Sequence, residues 1–187
     1  YRFCTISADQ GSTRDKNTGQ SIPDARNKDV VSSAGAVTVA DYVLSEAPSD
    51  LDALFICGAS PAMPEENIML ETWLKRLSKR KIALGGICTA SYLLAQAGLL
   101  DGYRATIHWW SIANLRETFP NTIVSNHLFE VDRDRFTCSG GTASMDMMLF
   151  LIGKQHGMKL AGSISEQFVC ERIRPNEDPQ RLPLQIS

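Results

Sequence analysis

Two short apolar runs, each followed at once by a helical pattern, restrict this chain more than any other feature. LDALFICG (Leu51 to Gly58) closes on a glycine, and KIALGGI (Lys81 to Ile87) ends at Cys88. Runs that are apolar throughout, rather than alternating, are typical of strands buried on both faces in a parallel sheet. The first run is followed by Pro61, Pro64 and then EENIMLETWLKRLSKR, with acids in its first turn and bases in its last, as the helix dipole favours. Its Ile68, Leu70, Trp73, Leu74 and Leu77 make an apolar stripe, and Trp73 is expected to pack in the core. The second run is followed by TASYLLAQAGLL, a short helix with an exit signal at Gly98. This order of strand, helix, strand, helix implies right-handed crossovers. The expected fold is α/β, a mostly parallel sheet sandwiched by helices.

The flanks are less regular. YRFCTIS reads as a strand, and the polar stretch from Gly11 to Asn27 as a long loop or a hairpin. Val30 and Val31 can pair with Val37 and Val39 across a turn at Gly35. WWSIANLRETF (Trp109 to Phe119) reads as a helix stopped by Pro120. NTIVS, HLFEVD and RFTCS are strand-like, with a polar turn over Asp132 to Arg135. GGTASMDMMLFLIGKQHG is a helix with Met147, Phe150 and Leu151 among its core positions. Its methionines suit a core or a dimer interface better than a cofactor site. The double glycine, Gly140 and Gly141, suits close strand–helix packing better than an anion cradle, because it lacks a nucleotide-binding spacing. MKLAGSISEQFVCERI continues helically, with Leu160, Ile164 and Phe168 at i, i+4 and i+8. From Pro175 the tail is polar and proline-rich and reads as a linker.

Composition excludes several classes of function. A net charge of −2 leaves no electrostatic footprint for nucleic acid. No apolar run approaches the ~20 residues of a membrane span, so no membrane partner is expected. The five cysteines are widely spaced without a C-x-x-C, which fits reduced thiols in the cytoplasm rather than disulfides. The three histidines stand far apart, so no metal is expected. Nothing points to a cofactor.

Cys88 carries the chemical interest. Gly86-Ile87-Cys88-Thr89-Ala90 follows a buried strand and precedes a helix, the setting of a nucleophile elbow with its strained backbone. A helix N-terminus would favour its thiolate and supply an oxyanion hole. Ala90 departs from the pattern, where elbows usually have a second glycine. The competing reading is a small buried hydrophobe. His108 follows a strand-like piece, Arg104 to Ile107, and would emerge beside Cys88 if that strand neighbours the Cys88 strand. The carboxyl edge of such a sheet is where ligands bind. A catalytic base also needs an orienting acid. Asp101 and Glu117 are the candidates, with no feature to favour either.

The elbow cysteine with a histidine twenty positions on resembles the DJ-1/PfpI branch of the class I glutamine amidotransferase-like superfamily. GGICTASYLLAQAGLLDGYRATIHWW, LFEVDRDRFTCSGGTASMDMMLFLIGKQHG and ISEQFVCERIRPNEDPQRLPL together resemble the amino-terminal domain of AraC-family transcriptional regulators. The subgroup is the one that senses glycine betaine, dimethylglycine, carnitine or arginine. The resemblance implies a flavodoxin-like, DJ-1/PfpI-type sensing domain over residues 1–174, a linker over 175–187, a homodimer, and DNA contact only through a further helix-turn-helix domain. It also implies a first-strand glutamate behind the cysteine in the enzymes of the superfamily, at a position before Tyr1.

The expected pocket walls are Gly58 and Ala59 at one strand end, Cys88 and Thr89 at the elbow, and His108 with Trp109 at a third. The expectation is a small-molecule effector and no catalysis. The alternative is a cysteine hydrolase or glyoxalase using Cys88 and His108. Relatives often have an acid after the HW pair, where this chain has Trp110. An aromatic face at Trp109 and free N–H groups at the elbow would suit the two ends of a betaine-like zwitterion.

Overall fold

In the computed structural model the described residues are 3–8, 12–14, 21–23, 28–32, 36–58 and 67–180. The chain divides into two units, residues 1–51 with 67–73, and residues 52–66 with 74–187.

In the first unit β1 (Ile6–Ser7), β2 (Ser12–Arg14), β3 (Ser21–Pro23), β4 (Asp29–Val31), β5 (Val37–Val39) and β6 (Tyr42–Val43) are all short. β2 and β3 form a hairpin, which resolves the polar stretch in favour of that alternative. β4 and β5 form the expected second hairpin, with Val31 opposite Val37 and Val30 opposite Thr38. Its Gly35 turn lies outside the described residues. β1 runs parallel to β6. Thr5 fastens the pair by donating to Asp41 Oδ2 from its N–H at 2.7 Å and from its hydroxyl at 3.0 Å.

After β7 (Ala53–Cys57) comes α1 (Ile68–Lys79), followed by β8 (Ala83–Ile87). Pro61, Pro64 and the acids beside them lie outside the described residues. Asn67 begins the helix, its Oδ1 accepting from the Leu70 N–H at 2.9 Å, an N-cap. Leu70, Trp73, Leu74 and Leu77 are buried as expected. Ile68 is not: it is 77% exposed. Two residues before Leu70 it stands roughly 200° round the helix from that stripe.

The second unit also holds α2 (Ser91–Gln96), β9 (Arg104–Ala105), α3 (Ile112–Thr118), β10 (Ile123–Val124), β11 (Phe129–Asp132), β12 (Arg135–Cys138), α4 (Ala143–His156) and α5 (Met158–Gln167). Its main sheet has the order β11-β12-β8-β7. β7, β8 and β12 are parallel, and β11 is antiparallel to β12. Ile87 is registered with both Cys57 and Cys138, so three carboxyl ends meet at one edge. β7 is less buried than its apolar run implies, since it is the last strand of this sheet and both its terminal residues are exposed.

The strand-like piece Arg104 to Ile107 does not neighbour β8. β12, not the strand before His108, lies beside it. β9 pairs instead with β10, and reaches β12 through the Thr106 N–H, which donates to Thr137 Oγ1 at 2.9 Å.

Phe129, Cys138, Ala143 and Met147 form a core with Leu128, backed by Phe55, Ile87, Val131, Phe136, Phe150 and Leu151. Met147 therefore serves the core. The helical run after it breaks at Gly157 (φ +92°) into α4 and α5. Leu160 and Phe168 are exposed, and Ala161 and Ser165 are the buried residues of α5. Beyond α5 the chain returns to the sheet edge. The Leu128 N–H donates to the carbonyls of Asn176 and Asp178, and Gln180 Nε2 donates to Thr106 Oγ1, Ile107 O and His127 O at 2.8 to 3.0 Å. Among the described residues no helix is long and apolar enough to cross a membrane.

Candidate functional site

The edge where β7, β8 and β12 end is crowded, and the local sequence explains how the chain turns there. Cys88 has φ +61°, a left-handed conformation rare for a residue with a side chain. That is the strained elbow which the sequence implies, and such strain persists only where the surroundings enforce it. Two glycines enforce it. A Cβ on Gly58 would lie 2.5 Å from Ala90 N and from Thr89 Oγ1. A Cβ on Gly140 would lie 2.7 Å from Cys88 Cβ and 3.0 Å from Sγ. Room for the turn thus comes from neighbouring strand ends, and Ala90 is accommodated fully buried. Gly140 packs closely, as expected, but against the elbow.

Burial pushes the Cys88 thiol above its ordinary range; the Thr89 backbone N–H pulls it back in part, and Cys138 adds to the rise. A thiolate is the nucleophile, so a raised thiol is a poor one. α2 has six residues, too few for a strong dipole. His108 Nδ1 accepts from the Trp110 N–H at 3.4 Å, closing the turn Trp109–Ser111. Neither Asp101 nor Glu117 hydrogen-bonds His108, and no other carboxylate does among the described residues.

Beside the elbow is an open cavity of about 220 Å³. His108 and Trp109 line one part of it, residues 139–143 another, and Leu128, Arg174 and Gln180 complete it. The volume is below the ~300–1,000 Å³ of pockets for drug-sized ligands, which suits a small metabolite. Of the sequence-derived wall residues, His108 and Trp109 line this cavity. Cys88 stands against its Gly140 wall, Gly58 and Thr89 pack against each other at the elbow, and Ala59 lies outside the described residues. Trp109 meets His108 with centroids 5.4 Å apart and Trp110 at 5.2 Å edge-on. Trp110 is 72% exposed and does not line the cavity.

Arg174 and Gln180 are residues that sequence reasoning missed. Arg174 Nε and Nη2 donate to Asp146 Oδ2 at 2.9 and 2.6 Å, and Nη2 also donates to Thr142 Oγ1 at 2.7 Å. Its backbone N–H donates to Asp146 Oδ1 at 2.9 Å. Asp146, in the first turn of α4, is 3% exposed. A buried acid one turn into a helix was the available signal, because such a charge needs a partner. Nothing in the sequence names Arg174 as that partner, 28 residues on.

Comparison with known proteins agrees with this geometry. Residues 13–154 match the DJ-1/PfpI family. The HTH-type transcriptional regulator GbdR of Pseudomonas aeruginosa is 43% identical over 157 residues, covering 84% of this chain and 42% of the regulator. CdhR, another HTH-type transcriptional regulator of Pseudomonas aeruginosa, is 48% identical over 131 residues, covering 70% and 39%. The crystal structure of an AraC family transcriptional regulator from Pseudomonas putida superposes with a TM-score of 0.70 at 31% identity, covering 76% of each chain. The chain spans about two fifths of the length of the curated relatives it matches. With an α/β fold, an elbow held in strain and named regulators among its relatives, the chain belongs to the DJ-1/PfpI family, in the branch carried by AraC-type transcriptional regulators.

Proposed function

We propose that this domain senses a small amine or amino-acid-like metabolite for a transcription regulator and does not turn it over. The observation that carries the reading is the pairing of an unactivated elbow with a small cavity beside it. The strained turn gives a rigid wall, while the raised Cys88 thiol and a His108 that meets no carboxylate among the described residues favour binding over catalysis.

A betaine-like zwitterion is the favoured ligand. Trp109 is 36% exposed at the cavity and offers an aromatic face to an ammonium group. Such a contact contributes ~0.5–2 kcal/mol, depending on desolvation. DNA contact belongs in this reading to a helix-turn-helix domain elsewhere in the regulator, and the working form is a cytoplasmic homodimer.

Calorimetric titration with glycine betaine, carnitine and arginine tests the reading. Saturable binding of one of them is expected, weakened roughly 2- to 30-fold in Trp109→Ala if the ligand is a quaternary amine. Unchanged affinity in that variant would remove the aromatic contact, and no binding by any compound would remove the ligand class.

A further inference from the structure

We propose that Arg174 is the residue of this cavity that takes the anionic group of the ligand, with Asp146 and Thr142 as its positioning residues. The inference rests on the sensing function proposed above and adds which end of the ligand is read, and by what.

Arg174 is the one arginine, lysine or carboxylate side chain among the described lining residues. Its partner Asp146 is buried and does not line the cavity, so a ligand meets the cationic member of the pair. The guanidinium is held through Nε and Nη2, whereas Nη1 makes no hydrogen bond or ion pair among the described residues. With the Nε hydrogen and both Nη2 hydrogens used, Nη1 keeps two N–H donors for an anion, on a side chain that loses little freedom on binding it. The N-terminus of the 14-residue helix α4 lines the same cavity at its N-cap Thr142 and its first residue Ala143, which adds positive potential. Gly141, with nothing within 4 Å of where a Cβ would stand, leaves its part of the wall open.

The alternative, that Arg174 only fastens the chain after α5, is weaker. That segment is already held by the Leu128 N–H and by three hydrogen bonds from Gln180.

The test uses matched pairs that differ by a carboxylate: glycine betaine against tetramethylammonium, and arginine against agmatine. Affinities are measured by calorimetry on wild type, Arg174→Gln and Arg174→Lys. In wild type the carboxylate-bearing member of at least one pair should bind at least tenfold more tightly. Arg174→Gln should abolish that preference while leaving the weaker member's affinity unchanged, and Arg174→Lys should retain part of it. A preference that survives in Arg174→Gln overturns the proposal. Equal binding within both pairs in wild type overturns it too, but leaves the sensing function standing. Binding by no compound overturns both. Should Arg174→Gln fail to fold, the Arg174 Nε–H resonance of wild type decides. It should shift with the carboxylate-bearing member alone, and a shift shared by both members, or by neither, overturns the proposal.

Discussion

At one end of β12, Arg135 is 3% exposed, and each of its guanidinium nitrogens is occupied. Nε donates to Leu99 O, Nη1 to the carbonyl of Asp134, and Nη2 to Ser78 Oγ at 2.6 Å, while Nη1 also pairs with the Asp134 carboxylate at 2.9 Å. Tyr103 lies under it at 4.9 Å and donates its own hydroxyl to Asp134 at 2.9 Å. Beyond the other end of β12, Arg174 shares two nitrogens with α4, keeps 30% of its side chain exposed, and faces a cavity beside the left-handed Cys88. A buried arginine with a partner at every nitrogen closes a structure, whereas one whose Nη1 is left over beside a cavity is prepared for a ligand. β12 thus runs between a finished end and an unfinished one.

Substitutions can break or sharpen this contrast. The largest effect is expected for Gly140→Ala. Its φ of +89° resists a side chain, and the new Cβ would lie 2.7 Å from Cys88 Cβ. Left-handed strain and overpacking together should cost on the order of 3 kcal/mol in urea unfolding. Gly141→Ala, at φ +56° with nothing within 4 Å, should cost only about 1 kcal/mol. Equal losses would mean that backbone strain alone, and not contact with the elbow, matters there. Arg135→Met comes next, with about 2–3 kcal/mol lost and ligand affinity unchanged. A change in affinity would erase the difference between the two ends. Gln180→Ala should cost about 1–2 kcal/mol, and should speed hydrogen exchange at the Leu128 amide, which reports docking of the segment through Asn176 and Asp178. The smallest effect is kinetic. With its pKa raised by burial, Cys88 should alkylate with iodoacetamide several-fold more slowly at pH 8 than the exposed Cys4, and its rate should still climb at pH values where an ordinary thiol has levelled off. Mass spectrometry of the labelled peptides checks both, and faster labelling at Cys88 would contradict an inert elbow.

The sequence was most informative where a local rule decides the structure. Two apolar runs with helices behind them identify β7, β8 and the parallel sheet, and the small residues around Cys88 identify the elbow. Its positive φ is the physical consequence of that crowding. Long-range pairing was less legible. The two residues of β9 carry no signal that they lie on β10 rather than β8, because that choice depends on where β12 returns. Ile68 fits an apolar stripe by composition but stands before the first buried turn, which Asn67 sets as the N-cap. Leu160 and Phe168 hold helical spacing, yet the break at Gly157 turns Ala161 and Ser165 inward in their place. The cavity was half legible. His108 and Trp109 adjoin a motif, whereas Arg174 stands just before, and Gln180 within, a polar, proline-rich stretch that reads as a linker.

The central claim is that a nucleophile elbow has been kept for its shape and not for its chemistry. Proton NMR on the domain mixed with glycine betaine, carnitine, arginine and methylglyoxal, followed for a day, tests it most directly. The account predicts that the signals of one compound broaden and that none decays. Loss of a signal in wild type, abolished by Cys88→Ala, would show that the elbow still turns over a substrate and would contradict the account.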